Sequence, residues 1–293
     1  MKFQTKGEIA FRYLFNYPFL ILLSFICLYP MLYVVFASFS EPTQYMAHRG
    51  ALWGSLGFTT SSYVHVFNNP NIFTGYRNTF WILGVALPIN MLLTIIGGYF
   101  ISRRGVMWFK PIMLFILFTM YFSGGLIPGF LLIRNLGLLD SRWALVLPSA
   151  ISTFNMIILR TAMHALPDSL EESAKLDGAG HLRILFQIVV PLVKPTLAVL
   201  VLFYGVQHWN SWFPAMIFLS TRALFPLQLI LREILVLNDV AGLDLGGALG
   251  DVDMIAATIQ YALVIVATVP ILALYPFLQR YFTKGIMIGA VKG

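Results

Sequence analysis

Six runs of twenty or more mostly apolar residues, at about 18–39, 79–101, 111–133, 143–164, 196–219 and 254–281, constrain this 293-residue chain more than any other feature. A helix crosses the hydrocarbon core of a bilayer with about twenty such residues. Inside that core every backbone N–H and C=O must be satisfied within the protein, which a helix does by itself. Composition agrees, since only 11% of the residues are charged against roughly 25% in soluble domains. The expected fold class is an all-α membrane protein with six transmembrane helices in one domain over 1–293. The basic start (Lys2, Lys6, Arg12) leads into an apolar run too long for a signal-peptide core, so the first run reads as a retained span.

Charge gives the orientation. With the N-terminus inside, Lys2, Lys6, Arg12, Arg103, Arg104, Lys110, Arg160, Lys175, Arg183, Lys194, Arg280, Lys284 and Lys292 are cytoplasmic. Arg49, Arg77, Arg134, Arg142, Arg222 and Arg232 are external. The inside excess, with every lysine on that side, predicts six spans and both termini cytoplasmic. This asymmetry also accounts for the net charge of +7 without nucleic acid, because no basic run is interleaved with aromatics. Cys27 is the only cysteine, so neither a disulfide within the chain nor a thiol pair for a metal is available. No Gly-rich phosphate loop occurs, so ATP is not bound by that route. No catalytic residue and no metal site is expected.

The orientation puts residues 165–195 in the cytoplasm, and they are elaborate for a connection between spans. Leu166-Pro167-Asp168-Ser169 suits a helix start, with Asp168, Glu171 and Glu172 at the positive end of the dipole. Ser169 and Glu172 also have capping-box spacing, and Glu171 stands four residues before Lys175 in the favourable order. Gly178 permits a sharp turn. A second helix should follow, with Leu182, Leu185, Phe186 and Val189 in one apolar stripe, ended by Pro191 and Pro195. A hairpin lying on lipid is one reading. The mixed charge, with Glu171, Glu172 and Asp177 at its centre, suits a protein groove better than anionic headgroups.

Glu172-Ser173-Ala174, then Gly178, Ile188 and Val190-Pro191 resemble the EAA loop of ABC-importer permeases, with its spacing intact. Ser173 and Val190 depart from the family's Ala and Leu. The tail Lys284-Gly285-Ile286-Met287-Ile288-Gly289-Ala290-Val291-Lys292-Gly293 resembles that of MalG-like carbohydrate permeases, in their LplC-like branch. The resemblance implies a type I importer permease fold in a prokaryotic inner membrane. It also implies four partners: a second, longer permease subunit, two ATPase subunits that bind ATP and Mg²⁺, and an external solute-binding protein. No cofactor is implied in this chain. It further implies that Glu171, Glu172, Ala174, Asp177, Gly178, Ala179, Leu182, Phe186 and Pro191 serve ATPase coupling, and that Gly289, Lys292 and Gly293 reach the ATPases.

For the solute, the fifth run gathers Tyr204, Gln207, His208, Trp209, Asn210 and Trp212, and the second contributes Asn90. Polar groups at membrane depth face a wet cavity or another helix, and aromatic faces beside amides suit sugar rings. Trp209 and Trp212 also fit an interfacial belt. The external cations are all arginine, which grips carboxylates in bidentate fashion. An acidic oligosaccharide suits such a mouth, and so do lipid phosphate or the external protein. It is the resemblance to the LplC-like branch that implies uronate-type oligosaccharides, and on that ground an alginate-type oligosaccharide is the expected cargo. A permease for amino acids or peptides is the alternative. A stand-alone secondary transporter is less favoured, for lack of evident repeats or deep acidic residues.

Overall fold

The computed structural model describes residues 15–103, 105–237, 257–273 and 276, and every regular element among them is helical. In chain order these are α1 (Tyr17–Ser38), α2 (Pro42–Ala47), α3 (Ser61–Asn68), α4 (Pro70–Ser102), α5 (Phe109–Tyr121) and α6 (Leu126–Asn135). Then come α7 (Trp143–Val146, running into a 3-10 turn, Leu147–Ser149), α8 (Thr153–His164) and α9 (Asp168–Leu176). They are followed by α10 (His181–Ile184, running into a π turn, Leu185–Val189), α11 (Val190–Leu192), α12 (Lys194–Trp209) and α13 (Phe213–Phe218). The series closes with α14 (Leu227–Leu237) and α15 (Ala257–Ala273). Packing groups the chain into two units, 1–70 with 233–269 and 71–232 with 270–293.

In the first unit α1 lies over the first expected span. It is apolar all round, and only Ala37 and Ser38 are buried, so its other faces require an apolar environment. Aromatic contacts fasten the following loop to it. Trp53 sits 5.9 Å from Phe25 and 5.3 Å from Tyr29, and the Leu52 N–H donates to the Tyr29 hydroxyl at 3.0 Å. A chain of phenols, Tyr33 to Tyr45 (3.1 Å) and Tyr45 to Tyr261 (2.8 Å), joins α1, α2 and α15. The segment 40–78, between the first two expected spans, is in large part helical.

In the second unit α4 has 33 residues, about 50 Å at 1.5 Å per residue, and begins well before the expected span 79–101. It approaches α8 closely at Gly97 and Gly98, where an added Cβ would lie 2.8 Å from Met156 Sδ and 3.4 Å from Leu159 Cγ. Small residues at such a crossing let helix backbones come together. The run 111–133 is divided into α5 and α6, bent by 107°. Gly125 takes the break with a left-handed φ of 87°, a conformation that costs residues with a Cβ. The run 143–164 is likewise bent, by 46°, and the hairpin arm α10–α11 meets α12 at 84°. Only α1 and α4 are by themselves long and apolar enough to cross a membrane among the described residues, with up to five crossings if each bent pair is one span. The helix α15 is apolar but shorter, and part of the sixth expected run lies outside the described residues.

Candidate functional site

The hairpin 165–195 is built around α9. Pro167 precedes it in extended conformation, and Asp168 and Glu171 occupy its first turn. Ser169 falls inside the helix, so the capping-box start is displaced to Pro167. At the other end the Gly178 N–H donates to Lys175 O (3.0 Å) and the Ala179 N–H to Ala174 O (2.9 Å). With Gly178 at φ 77°, this pair of bonds is a Schellman turn, which satisfies the last carbonyls and reverses the chain. Ala174, 8% exposed, sits in a core with Tyr99, Leu159, Met163, Ile184 and Leu185, and Ala179 packs against the same cluster. A small residue at 174 thus lets α9 lie flat on α8 and α10.

The second arm differs from the expected stripe. Leu185 and Val189 are buried together with Ile184, whereas Leu182 (70% exposed) and Phe186 face outward. Ile184, not counted in that stripe, takes the inward place, so the buried face runs through Ile184, Leu185 and Val189 and leaves Leu182 and Phe186 on the outer side. Pro191 does not end the arm either. It lies within α11, directly after the π turn, where its missing N–H is accommodated; the bend comes at Val193, and Pro195 sits in the first turn of α12. Leu176, at 90%, and Leu182 are the most exposed apolar side chains of the hairpin.

Beneath α9 a groove of about 350 Å³ is lined by Ser102, Arg103, His164, Glu171, Glu172 and Lys175, among others. Glu171, expected to face Lys175, forms an ion pair with Arg103, the two side chains being 15% and 19% exposed. Burial pushes the Arg103 guanidinium below its ordinary value, opposed by Tyr99 and Asp168. A guanidinium sheltered from water is the stronger partner, so the long-range pair prevails over the exposed lysine on the same helix. Glu172, Asp177, Gly178 and Pro191 remain exposed. Arg103 was visible in the sequence only as one of the inside charges; nothing local links it to residue 171.

The polar cluster expected along the solute path divides in two. Tyr204, Asn90 and His208 are buried and bound to the chain itself. The Ser152 N–H donates to the Tyr204 hydroxyl at 2.9 Å, and Thr94 pairs with it at 2.7 Å. Asn90 donates to Ser149 O and Ala150 O, and its Oδ1 lies 2.9 Å from His208 Nε2. These three side chains hold α4, α12 and the α7–α8 bend together. Trp209 is buried against Tyr76 and Phe80. Gln207 and Asn210 are exposed, and Trp212 is half-buried. The Arg232 guanidinium lies 4.4 Å over the Trp212 ring and donates to Met216 Sδ.

Two ties at the far end of this unit had no local signal either. Asp140 accepts from the Ser220 and Thr221 N–H groups (2.9 and 2.8 Å) and from the Thr221 hydroxyl, while its own N–H donates to Phe218 O. The Thr221 hydroxyl, followed by the Thr221 and Ser220 N–H groups, holds its carboxyl below the ordinary range. Asn78 donates to Ala223 O and Phe225 O and accepts from Arg142. The tail residues Gly289, Lys292 and Gly293 lie outside the described residues.

No protein-family model matches the chain. Over 284 residues it is 38% identical to the polygalacturonan/rhamnogalacturonan transport system permease protein YtcP of Bacillus subtilis (strain 168), covering 94% of this chain and 96% of that one. The chain belongs to the carbohydrate permeases of ABC transporters. A second permease relative, Protein LplC of Bacillus subtilis (strain 168), is 37% identical over 268 residues, covering 92% and 90% of the two chains. In structure the permease is similar to a chain of a bacterial ABC transporter involved in the import of the acidic polysaccharide alginate, with a TM-score of 0.85 and 28% identity. That match covers 96% of this chain and all of the other. Permeases of this kind are helical membrane proteins and not themselves enzymes, and their substrates are sugars and oligosaccharides.

Proposed function

We propose that this permease is the smaller transmembrane subunit of an ATP-driven importer of acidic oligosaccharides, with six spans and both termini in the cytoplasm of a prokaryotic cell. A longer permease subunit completes the pathway, a solute-binding protein delivers the sugar from outside, and two ATPase subunits hold ATP and Mg²⁺. The hairpin 165–195 is the joint to those ATPases. The observation that carries this reading is its construction. Its short first helix is closed by a Schellman turn, is seated through Ala174 and turns Glu172 and Leu176 outward, while the second arm turns Leu182 and Phe186 outward. An apolar and acidic display of this kind fits a groove on a partner protein. ATP-driven movement of the partner would then be passed to α8, α10 and α12 through the shared core.

Two observations favour an acidic cargo. The relatives with established names or structures include transporters of polygalacturonan and alginate, both polymers of uronic acids. Arg232, stacked on Trp212, offers a guanidinium edge beside an aromatic face, a pairing suited to a sugar ring bearing a carboxylate. On this reading Gln207, Asn210, Trp212 and Arg232 line the solute path, with Tyr204, His208, Trp209 and Asn90 as its frame.

The test is ATP hydrolysis by the four-subunit complex in proteoliposomes, with its binding protein presented in turn with oligouronides, with neutral oligosaccharides of equal length and with amino acids or peptides. Stimulation by the uronides alone supports the reading. Equal stimulation by neutral sugars would remove the acidic cargo, and stimulation only by amino acids or peptides would overturn the carbohydrate reading for this chain.

A further inference from the structure

The groove under α9 contains a contact that the coupling surface does not use, the pair Arg103–Glu171. Glu171 is on the α9 face turned toward the protein, whereas Glu172 beside it is exposed. Arg103 follows the last turn of α4 directly and is fixed there by several contacts. Its Nε and Nη2 donate to Ser102 Oγ at 3.2 and 3.0 Å, and its guanidinium lies 4.4 Å over the Tyr99 ring. The end of α4 is in turn bound to α8. Arg160 Nε donates to Ile101 O at 3.4 Å and His164 Nδ1 to Ser102 O at 3.0 Å. These are the terminal carbonyls of α4, which have no partner inside the helix, and the arginine there also opposes the negative end of its dipole. The close crossing at Gly97 and Gly98 completes the connection.

Apart from the ion pair, α9 is joined to α8 by Ala165, Leu166 and the extended Pro167 and is seated through Ala174, while Asp168 in its first turn also lies near Arg103. A short joint of this kind lets a helix pivot. The ion pair adds an attachment on a different helix, off the line of that joint, and so removes the pivot.

We propose that Arg103 is a positioning residue for energy coupling: its ion pair with Glu171 makes α9 and the ends of α4 and α8 one rigid lever, so that movement of the joint displaces the long helix α4 as well as α8. This role rests on the reading of α9 as the ATPase-facing joint. Arg103 itself touches neither the partner nor the sugar. Its removal should therefore alter how much transport each ATP yields more than how fast ATP is hydrolysed.

The experiment compares wild type with Arg103→Met, Arg103→Lys, Glu171→Arg and the double swap Arg103→Glu with Glu171→Arg. All are assembled as the complete complex in proteoliposomes with loaded binding protein. Oligosaccharide imported per ATP hydrolysed and the melting temperature of the complex are both read. The expected result is a fall of about fivefold or more in sugar per ATP for Arg103→Met, the lower range of a site-to-site coupling. Arg103→Lys and the double swap should recover part of it, with melting close to wild type. A lowered melting temperature with an unchanged ratio would make the pair structural only and overturn the proposal. So would an unchanged ratio at unchanged melting. If the wild-type complex shows no stimulation by its loaded binding protein, the joint reading itself fails; that outcome is seen before any variant is compared.

Discussion

Gly178 offers a graded test of the hairpin, because its conformation and its surroundings make separable demands. Its φ is 77°, and an added Cβ would meet nothing within 4 Å. An alanine there costs no steric repacking inside the chain. It costs the left-handed backbone, about 1–2 kcal/mol, which lowers the population of the native turn by roughly 5- to 30-fold relative to its alternatives. Asparagine is larger than alanine but visits this region more readily. Proline fixes φ near −65° and also deletes the N–H that donates to Lys175 O. Sugar import by the reconstituted complex should therefore fall in the order Gly178, Gly178→Asn, Gly178→Ala, Gly178→Pro, with proline uncoupling hydrolysis from import. Import and stimulated ATPase activity, measured on the same vesicles, give the order. An asparagine variant worse than alanine would mean that crowding by a partner, not backbone conformation, governs the site. A fully active proline variant would refute the turn's role altogether.

Other outcomes follow from the same geometry. Tyr204→Phe strands the half-buried Ser152 N–H and the buried Thr94 hydroxyl, which costs about 1–3 kcal/mol; the detergent-solubilised complex should melt lower, and unchanged melting with altered sugar selectivity would return Tyr204 to the solute path. Arg232→Met should lower import of oligouronides about tenfold, the value of a charge-assisted hydrogen bond, while neutral sugars at equal occupancy of the binding protein are unaffected; an equal loss for both would make the residue structural. The carboxyl of Asp140 lies below its ordinary value of 3.8. Its contribution is therefore complete above that pH and is lost as the pH falls through the lower, folded value. Amide hydrogen exchange at Ser220 and Thr221 should accelerate in Asp140→Ala at neutral pH, and no change would show that the loop holds without the clasp.

Much of the fold class was legible in the sequence because the bilayer imposes a length and a composition on each crossing. The breaks inside the runs were not, since a run's hydropathy is the same whether its helix is straight or bent by 107° at Gly125. The hairpin was legible where its chemistry is local. Pro167 and Gly178 act through the conformation of their own neighbours, whereas Ala174 is seated in a core that includes residues as distant as Tyr99 and Leu159. The stripe Leu182, Leu185, Phe186 and Val189 is offset from the buried face because 182–189 carries apolar residues on more than one side, and only the packing selects Ile184, Leu185 and Val189 as the inward ones. Arg103–Glu171, Asp140 with Thr221 and Asn78 with Arg142 join distant segments, and no periodicity marks such pairs. Tyr204, His208 and Asn90 were noticed as polar groups at membrane depth, but only the packing shows them bonded to the chain's own backbone and to one another.

The measurement closest to the central claim is disulfide or bifunctional cross-linking from the exposed positions of the hairpin. In a Cys27→Ser background, Leu176→Cys and Leu182→Cys should each cross-link to an ATPase subunit of the intact complex, while Trp53→Cys, exposed on the other unit, should not. The yield should change when ATP is bound. If neither hairpin position reaches an ATPase in a complex that hydrolyses ATP and imports sugar, the hairpin is not the joint and the account is wrong at its centre.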